Sequence, residues 1–302
     1  PIVPYHELEP ALAQRTIDAQ DVSDGCYRFT IGLAKKALLA DALAGLVTGI
    51  WGDLASLTVL SAWLGLIGYA LQLYFDFSGY SDMAIGLGRM LGFRFPENFR
   101  YPYLCSSISD FWRRWHISLG SWFKEYLYFP LGGSRTGTLR TLRNLLLVWL
   151  ATGLWHGASW NYVLWGLYFG VLICLEKLLA PRFRAHPRKG LLAGLYRPVC
   201  LLLAVLGWVL FRAEDLPAAC LFGGAAGASA QARLYLHDFW PVLLLGAVGA
   251  TPLCAKLAGR LGAKLQPGVR AAVQAVLVLA LLACSTVWLL NGSFQSFVYF
   301  QF

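Results

Sequence analysis

Charged residues are scarce in this sequence. Asp, Glu, Lys and Arg make up 14% of the 302 residues, against 58% hydrophobic residues, and the mean hydropathy is +0.56. Ordinary soluble domains carry about 25% charged residues. The shortage excludes an ordinary soluble domain and predicts a polytopic membrane protein, which we expect to form one transmembrane domain over residues 1–302.

Acidic residues are the scarcer of the two charges. The chain has 16 Asp and Glu against 25 Lys and Arg, a formal net charge of +9. The basic residues fall in short loops between apolar runs, where membrane topology and anionic headgroups account for them. We therefore expect membrane lipid, and no nucleic acid, as a partner. Residues 256–270 are basic and predicted to be cytoplasmic, whereas residues 212–238 show no positive bias and are predicted on the far side.

Cysteine pairs and clusters are missing as well. The seven cysteines are scattered, odd in number and mostly inside apolar runs, and the sequence has no CxxC motif or His/Cys cluster. Such a pattern is typical of small core residues rather than of a disulfide framework. It predicts no metal site.

One apolar stretch holds a single titratable group. Residues 145–175 contain no Asp, Glu, Lys or Arg, and their one histidine, His156, is followed by Gly157. The run is too long for one span of about 20 residues and short for two. Both flanks are basic, which places both on the cytoplasmic side. We expect the chain to enter the membrane, turn near residues 153–157 and return.

This turn would place His156 deep in the bilayer. A backbone turn at that depth must be packed in protein or line a wet cavity, because lipid offers its polar groups no partner. An ionisable residue inside a membrane protein is a functional candidate. The alternative is that the imidazole only makes a hydrogen bond to a neighbouring helix.

The chain before this run predicts two more membrane elements. Residues 27–52 are apolar with a few basic side chains, Lys36 among them, which favours an interfacial or tilted helix with snorkelling lysines. Residues 54–75 are long and charge-free enough to form a span. Asp76 and Asp82 follow among aromatic, Ser and Gly residues, and this setting favours hydrogen-bonded anchors over acid/base groups.

Residues 106–120, SSISDFWRRWHISLG, predict a helix at the cytoplasmic interface. Ser109 would be its N-cap, with Asp110 in the first turn, where a carboxylate suits the helix dipole. Trp112 and His116 are four residues apart and would share one face. From this pattern alone, a structural and a chemical role suit His116 equally.

Three segments resemble a known family. They are RFPENFRYPYL, SISDFWRRWHISLGSWFKEYLYFPLGG and GLWHGASWNYVLWGLYFG, and they closely resemble the membrane-bound O-acyltransferases, in the branch of the bacterial alginate O-acetyltransferase. WVLFRAEDLPAA, YFDFSGYSDMAIGLGRMLGF and the opening PIVPY also fit. The resemblance therefore covers nearly the whole chain.

The resemblance implies an all-α helical bundle around a tunnel, with re-entrant and interfacial helices. Family members normally have several more membrane helices before the PIVPY-like segment. The chain begins at Pro1 without an initiator Met or a signal-peptide pattern. We therefore expect it to be the C-terminal portion of a longer protein.

The implied function is acyl transfer by a multi-pass protein of the bacterial inner membrane. The donor would be a cytoplasmic thioester, acetyl-CoA or another, with no bound cofactor, and the acceptor an exported polysaccharide such as alginate. Periplasmic acetyltransferases would be partner proteins. The alternatives within this class are O-acetylation of peptidoglycan, cellulose or another glycan, and D-alanyl transfer to teichoic acid.

The family's two histidines associated with activity fall on His156 and His116. We expect His156 to be the general base, and His116 to be a second polar or acid/base group near the thioester entrance. Contacts with the donor are assigned to Arg113, Arg114 and Trp112, and the lining of the tunnel to Trp155, Trp160 and Asn161.

Two other classes of function compete with the enzyme. A proton-coupled transporter would use the buried histidine as a relay, and a scaffold would hold a secretion complex together without catalysis. A transporter commonly has paired repeats with interrupted helices at matching positions. The sequence shows no such repeat.

Overall fold

A computed structural model describes residues 2–135, 137–185, 191–213, 227–291 and 297. Every regular element in these ranges is helical, which confirms the all-α prediction. The contacts divide the chain into two compact units, each made of segments distant in sequence. The first contains Pro1–Trp51, Ile67–Asn98 and Ala230–Gln301, and the second contains Gly52–Leu66 and Phe99–Ser229.

The first unit holds the helices from the two ends of the chain. They are α1 (Tyr5–Ala13), α2 (Ala19–Ala34), a π-helical turn (Lys35–Ala40), α3 (Asp41–Trp51), most of α4 (Val59–Met90), α10 (Ala230–Gly249), α11 (Leu253–Gly262) and α12 (Pro267–Asn291). α10 begins inside the loop predicted over residues 212–238. Its first turns therefore extend the helix beyond the apolar run.

The second unit holds the middle of the chain. Its helices are α5 (Ile108–Trp112), α6 (Ile117–Phe123) with a π-helical turn (Lys124–Tyr128), α7 (Thr138–His156), α8 (Trp160–Ala185) and α9 (Leu191–Arg212), with short 3-10 turns at Leu54–Ser56 and Pro102–Leu104. Both predicted histidines lie in this unit.

Four of the described helices are long and apolar enough to cross a membrane. They are α4, the part Trp160–Leu179 of α8, the part Gly194–Arg212 of α9, and α12. α10 and α11 pass the same test together as a pair bent by 68°. These helices agree with the polytopic prediction.

The helix α4 is longer than the predicted span over residues 54–75. Asp76 and Asp82 lie inside it and are buried. They remain within the helix because cations neutralise them: Asp82 accepts hydrogen bonds from Arg28 and Lys35, at 2.6 Å each. The prediction that both carboxylates are hydrogen-bonded anchors agrees with these contacts.

Lys36 is the cation that neutralises Asp76. Its Nζ lies 2.7 Å from Oδ1 of Asp76 and 2.8 Å from Oδ1 of Asp41, and the residue is only 3% exposed. The predicted snorkelling is therefore wrong for Lys36. Two carboxylates beside the ammonium offset the cost of its burial, so the charge does not have to reach water.

Paired glycines bring α2 and α4 into backbone contact. A β-carbon on Gly79 would lie 2.7 Å from the carbonyl oxygen of Gly32, and one on Gly32 would lie 2.6 Å from that of Gly79. Gly25 and Gly86 repeat this arrangement at 2.7 and 2.6 Å. The close approach places Arg28 of α2, and Lys35 of the π-helical turn that follows it, within reach of Asp82.

Candidate functional site

The apolar run over residues 145–175 folds as a helical hairpin. α7 ends at His156 and α8 begins at Trp160, so the turn follows the histidine directly. Gly157 in the turn has φ 155°, and a β-carbon there would meet the Tyr162 ring at 2.8 Å. Glycine is required at this position for both reasons. The prediction of a turn at this place is confirmed within a few residues.

The two arms of the hairpin have unequal apolar lengths. α7 includes Arg140 and Arg143 in its first turns, which leaves residues 145–156 as its apolar part, about 18 Å long at 1.5 Å per residue. A hydrocarbon core is about 30 Å thick. The short first arm supports the re-entrant interpretation, and the depth of His156 in the bilayer stays a prediction.

Glycines hold the two arms in direct backbone contact. A β-carbon on Gly153 would collide with the carbonyl oxygen of Tyr162, and one on Gly166 would collide with that of Trp149. Gly170 continues the contact one turn further, where its β-carbon would lie 3.0 Å from Cβ of Trp149. The position of His156 is therefore fixed by a rigid hairpin.

Three aromatic rings surround the His156 imidazole edge-on. Its centroid lies 5.0 Å from that of Trp155, 5.1 Å from Trp165 and 5.0 Å from Phe211, with interplanar angles of 84–86°. The residue is half-buried. Rigid aromatic neighbours hold the ring in one orientation and leave part of it accessible.

His116 lies in a break between α5 and α6. Its backbone is left-handed, with φ 45° and ψ 54°, and it is 6% exposed. The single helix predicted over residues 106–120 is therefore wrong beyond Trp112, and the expected shared face of Trp112 and His116 is not formed. A non-glycine residue in this region is strained, which is most frequent at functional sites.

The start of α5 also differs from the prediction. Ser107 is the N-cap, and its Oγ accepts a hydrogen bond from the Asp110 amide at 2.9 Å. Ser109, the predicted cap, instead donates from its hydroxyl to Glu176. Asp110 lies in the first turn as predicted.

The structure brings the two histidines to one indole ring. The Trp155 centroid lies 6.2 Å from that of His116 and 5.0 Å from that of His156. Ser118 Oγ lies 3.4 Å from Nδ1 of His116. Burial, and the nearby His156, lower the pKa of the His116 imidazole. This lowered pKa favours the neutral imidazole, which can accept one hydrogen bond and donate one.

The three predicted donor contacts lie in different surroundings. Arg113 is exposed. Arg114 is partly exposed and forms an ion pair with Asp110, with Nε 3.0 Å from Oδ1. Trp112 packs against Trp149 at a centroid distance of 4.7 Å. Their role toward a donor stays a prediction, and Arg113 has the accessibility that the role needs.

The three predicted lining residues lie around the hairpin turn. Trp155 is 45% exposed and Trp160 73% exposed. Asn161 is buried and donates from Nδ2 to the carbonyl oxygen of Ala213, at 2.9 Å. This bond ties the turn to the end of α9. Whether these residues line a tunnel stays a prediction.

A core of aromatic side chains packs next to the site. The extent of this core was not predicted from the sequence. It joins α5, α7, α8 and α9 through Phe111, Trp112, Trp115, Trp149, Trp165, Phe169, Trp208 and Phe211. The apolar runs give no signal that separates these rings from lipid-facing ones. In the described ranges no group of three or more His, Cys, Asp or Glu side chains could hold a metal ion.

Sequence comparison decides the family. A model of the membrane-bound O-acyltransferases matches residues 1–206. The chain belongs to that family. Both histidines of the site lie inside the matched part, as does the whole α7–α8 hairpin. The membrane-bound acyltransferase fold inferred from the sequence is thereby confirmed.

Curated relatives refine this membership. The chain is 48% identical over 219 residues to the probable alginate O-acetylase AlgI of Pseudomonas aeruginosa, covering 72% of this chain and 41% of the relative. It is 40% identical over 224 residues to the peptidoglycan O-acetyltransferase of Helicobacter pylori (72% and 42%). The teichoic acid D-alanyltransferase of Bacillus subtilis is 32% identical over 160 residues (49% and 40%).

The chain spans less than half the length of these relatives. The family is named for acyl transfer, a reaction that requires an acyl donor.

Proposed function

We propose that this membrane-bound O-acyltransferase moves an acetyl group from a cytoplasmic thioester across the bacterial inner membrane for O-acetylation of an exported polysaccharide such as alginate. The observation that supports this most directly is the convergence of His116 and His156 on one indole ring. Relatives named for alginate O-acetylation are 45–48% identical to this chain, and the relative named for peptidoglycan O-acetylation is 40% identical.

In the proposed reaction His156 is the general base. Its free ring nitrogen takes the proton from the attacking hydroxyl, which belongs either to the acceptor or to a carrier that first receives the acetyl group, while that oxygen forms a bond to the thioester carbonyl carbon. The carbon–sulfur bond then breaks, and the same proton passes to the thiolate, so the products are the ester and the thiol. A base whose unperturbed pKa lies near neutrality suits this transfer.

His116 is proposed as the second polar group of the site. Since it is neutral and buried, it can hydrogen-bond the thioester carbonyl oxygen or a hydroxyl without carrying a charge into an apolar setting. Arg113, exposed on the adjoining segment, is the candidate for contact with a donor phosphate of acetyl-CoA. Periplasmic acetyltransferases remain proposed partners for the final transfer.

The test is acyl transfer by the purified full-length protein with acetyl-CoA. A positioned general base contributes on the order of 100- to 10,000-fold, so His156→Ala should lower turnover by that factor. His237→Ala is the matched control, because that histidine is exposed and lies in the other unit. Near-normal transfer by folded His156→Ala would end the assignment. A transporter or scaffold would show no transfer in the wild type.

Peptidoglycan is the second candidate acceptor, favoured by the 40% identical Helicobacter pylori relative. Mass spectrometry of the surface polysaccharide and of the peptidoglycan from a deletion strain distinguishes the two. Loss of acetyl groups from the exported polysaccharide alone is expected. Loss from peptidoglycan alone would overturn the choice of acceptor and leave the family mechanism intact.

A further inference from the structure

The carboxylate of Glu176 accepts four hydrogen bonds from two other elements. On α5, the Ile108 amide (2.7 Å), the Ser109 amide (2.9 Å) and the Ser109 hydroxyl (2.6 Å) donate to it. On α9, the Tyr196 hydroxyl donates at 2.5 Å. Glu176 itself belongs to α8, so one side chain joins three helices of the second unit.

These bonds satisfy the start of a helix that is too short to be stable alone. α5 has only five residues, and its first amides have no partner inside the helix. A carboxylate at this end makes charge-assisted hydrogen bonds and is favoured by the helix dipole. Glu176 therefore fixes α5 against α8, which also begins at the hairpin turn beside His156.

α5 leads directly to the strained residue His116. Trp115 continues from the helix by a hydrogen bond from its amide to the Phe111 carbonyl, at 3.0 Å, and the chain then turns left-handed at His116. Across the bend, the Arg100 amide donates to the Arg114 carbonyl at 2.9 Å. A left-handed histidine persists only where its surroundings determine it, and the helix before it is held by Glu176.

We propose that Glu176 is a positioning residue for His116: it clamps α5 to α8 and α9 so that the imidazole stays beside Trp155 despite its unfavourable backbone. The inference rests on the proposed function, in which His116 contributes to acyl transfer. Glu176 touches neither histidine directly, so its effect on the reaction passes through His116.

The first test measures the position of His116 without using activity. Diethyl pyrocarbonate modifies accessible imidazoles, and mass spectrometry gives the rate at each histidine of the full-length protein. In Glu176→Ala the modification of His116 should rise several-fold while that of exposed His237 is unchanged. Lys177→Ala, an exposed neighbour on the same helix, is the matched control and should match the wild type. Unchanged protection of His116 in folded Glu176→Ala would overturn the proposal.

The second test is a double-mutant cycle on acyl transfer. Misplacing a reacting group by about 1 Å can cost on the order of 100-fold, so Glu176→Ala should lower kcat by up to that factor. In a His116→Ala background it should lower kcat no further, because the group it positions is gone. Glu176→Gln keeps the shape but only one acceptor oxygen, so one of the two α5 amides loses its partner. It should give an intermediate loss if full removal prevents folding.

The outcomes separate this inference from the proposed function. If His116→Ala is impaired and Glu176→Ala adds its full effect on top, Glu176 acts elsewhere and the inference fails while the function stands. If both His116→Ala and His156→Ala transfer normally, the proposed function fails. A protected His116 combined with a large kcat loss in Glu176→Ala also overturns the positioning role.

Discussion

The left-handed backbone of His116 should lower the stability of the folded protein by a measurable amount. This conformation costs a residue with a β-carbon about 1–2 kcal/mol, and glycine avoids that cost. His116→Gly should therefore unfold at a higher temperature than His116→Ala, with both variants impaired in acyl transfer. Thermal unfolding in detergent measures the difference. An alanine variant that is as stable as the glycine variant would contradict the strain.

Protonation of His116 should make the protein sensitive to acid. Because burial lowers the pKa of its imidazole, the unfolded chain binds a proton near pH 6.5 that the folded chain rejects. Stability is therefore present above that pH and lost as the pH falls below it. His116→Asn, which tolerates a left-handed backbone, should lose less stability between pH 7.5 and 5.5. Equal losses in unfolding temperature would contradict the prediction.

Lys36 should be far more important to stability than its neighbour Lys35. Lys36→Met leaves Asp41 and Asp76 buried without their ammonium, and removing one partner of a buried ion pair costs about 3–5 kcal/mol. Lys35→Met is the control, because Asp82 keeps Arg28. The comparison is the unfolding temperature of the two purified variants. A similar small loss for both would show that Lys36 reaches water.

At the scale of elements, the glycine contacts between α2 and α4 set the distance between these helices. Gly79→Ala would force its β-carbon against backbone atoms that cannot rotate away, so the helices must separate, at about 1–3 kcal/mol. Gly259→Ala, in α11, has open space and should be neutral or slightly stabilising. The unfolding temperatures of the two variants test this prediction. An unfolding temperature of Gly79→Ala equal to that of the wild type would refute the close approach.

Elements with a strong local signal could be predicted, and those set by distant contacts could not. The hairpin follows from a charge-free run with basic flanks and glycine at its turn. The break at His116 does not, since the segment has helical spacing, and the residues before the break contact Arg100 and Glu176, the second of them 67 residues away from Ser109. The continuation of α4 past Asp76 was missed for the same reason: the neutralising Lys36 is 40 residues away.

At the scale of the whole molecule, the charge distribution predicts which ends of the helices face the cytoplasm. A cysteine at Lys264, in the basic stretch after α11, should react with an impermeant maleimide only from the cytoplasmic side. A cysteine at Gln231, at the start of α10, should react only from the opposite side. The seven native cysteines must first be replaced by Ser. Labelling of both from one side would refute the topology.

Only part of the site could be predicted from the sequence. The two histidines could be chosen from their motifs, but their meeting at Trp155 is a consequence of how α5, α7, α8 and α9 pack around the aromatic core. Hydrophobic patterns predict which face of a helix is apolar, but they do not predict which other helix packs against that face. Glu176 shows the same limit, since a lone carboxylate at the end of an apolar run looks like an ordinary boundary charge.

The glycine contact inside the hairpin also limits how a substrate can travel. Where Gly153 and Gly166 meet, the two helix backbones touch, and not even a methyl group would fit between them. A pantetheine-like arm therefore cannot thread through the seam of α7 and α8. We expect the proposed donor to reach His156 around the outside of the hairpin, past the exposed indoles of Trp155 and Trp160, and a bulky inhibitor bound against those two rings should therefore block its access.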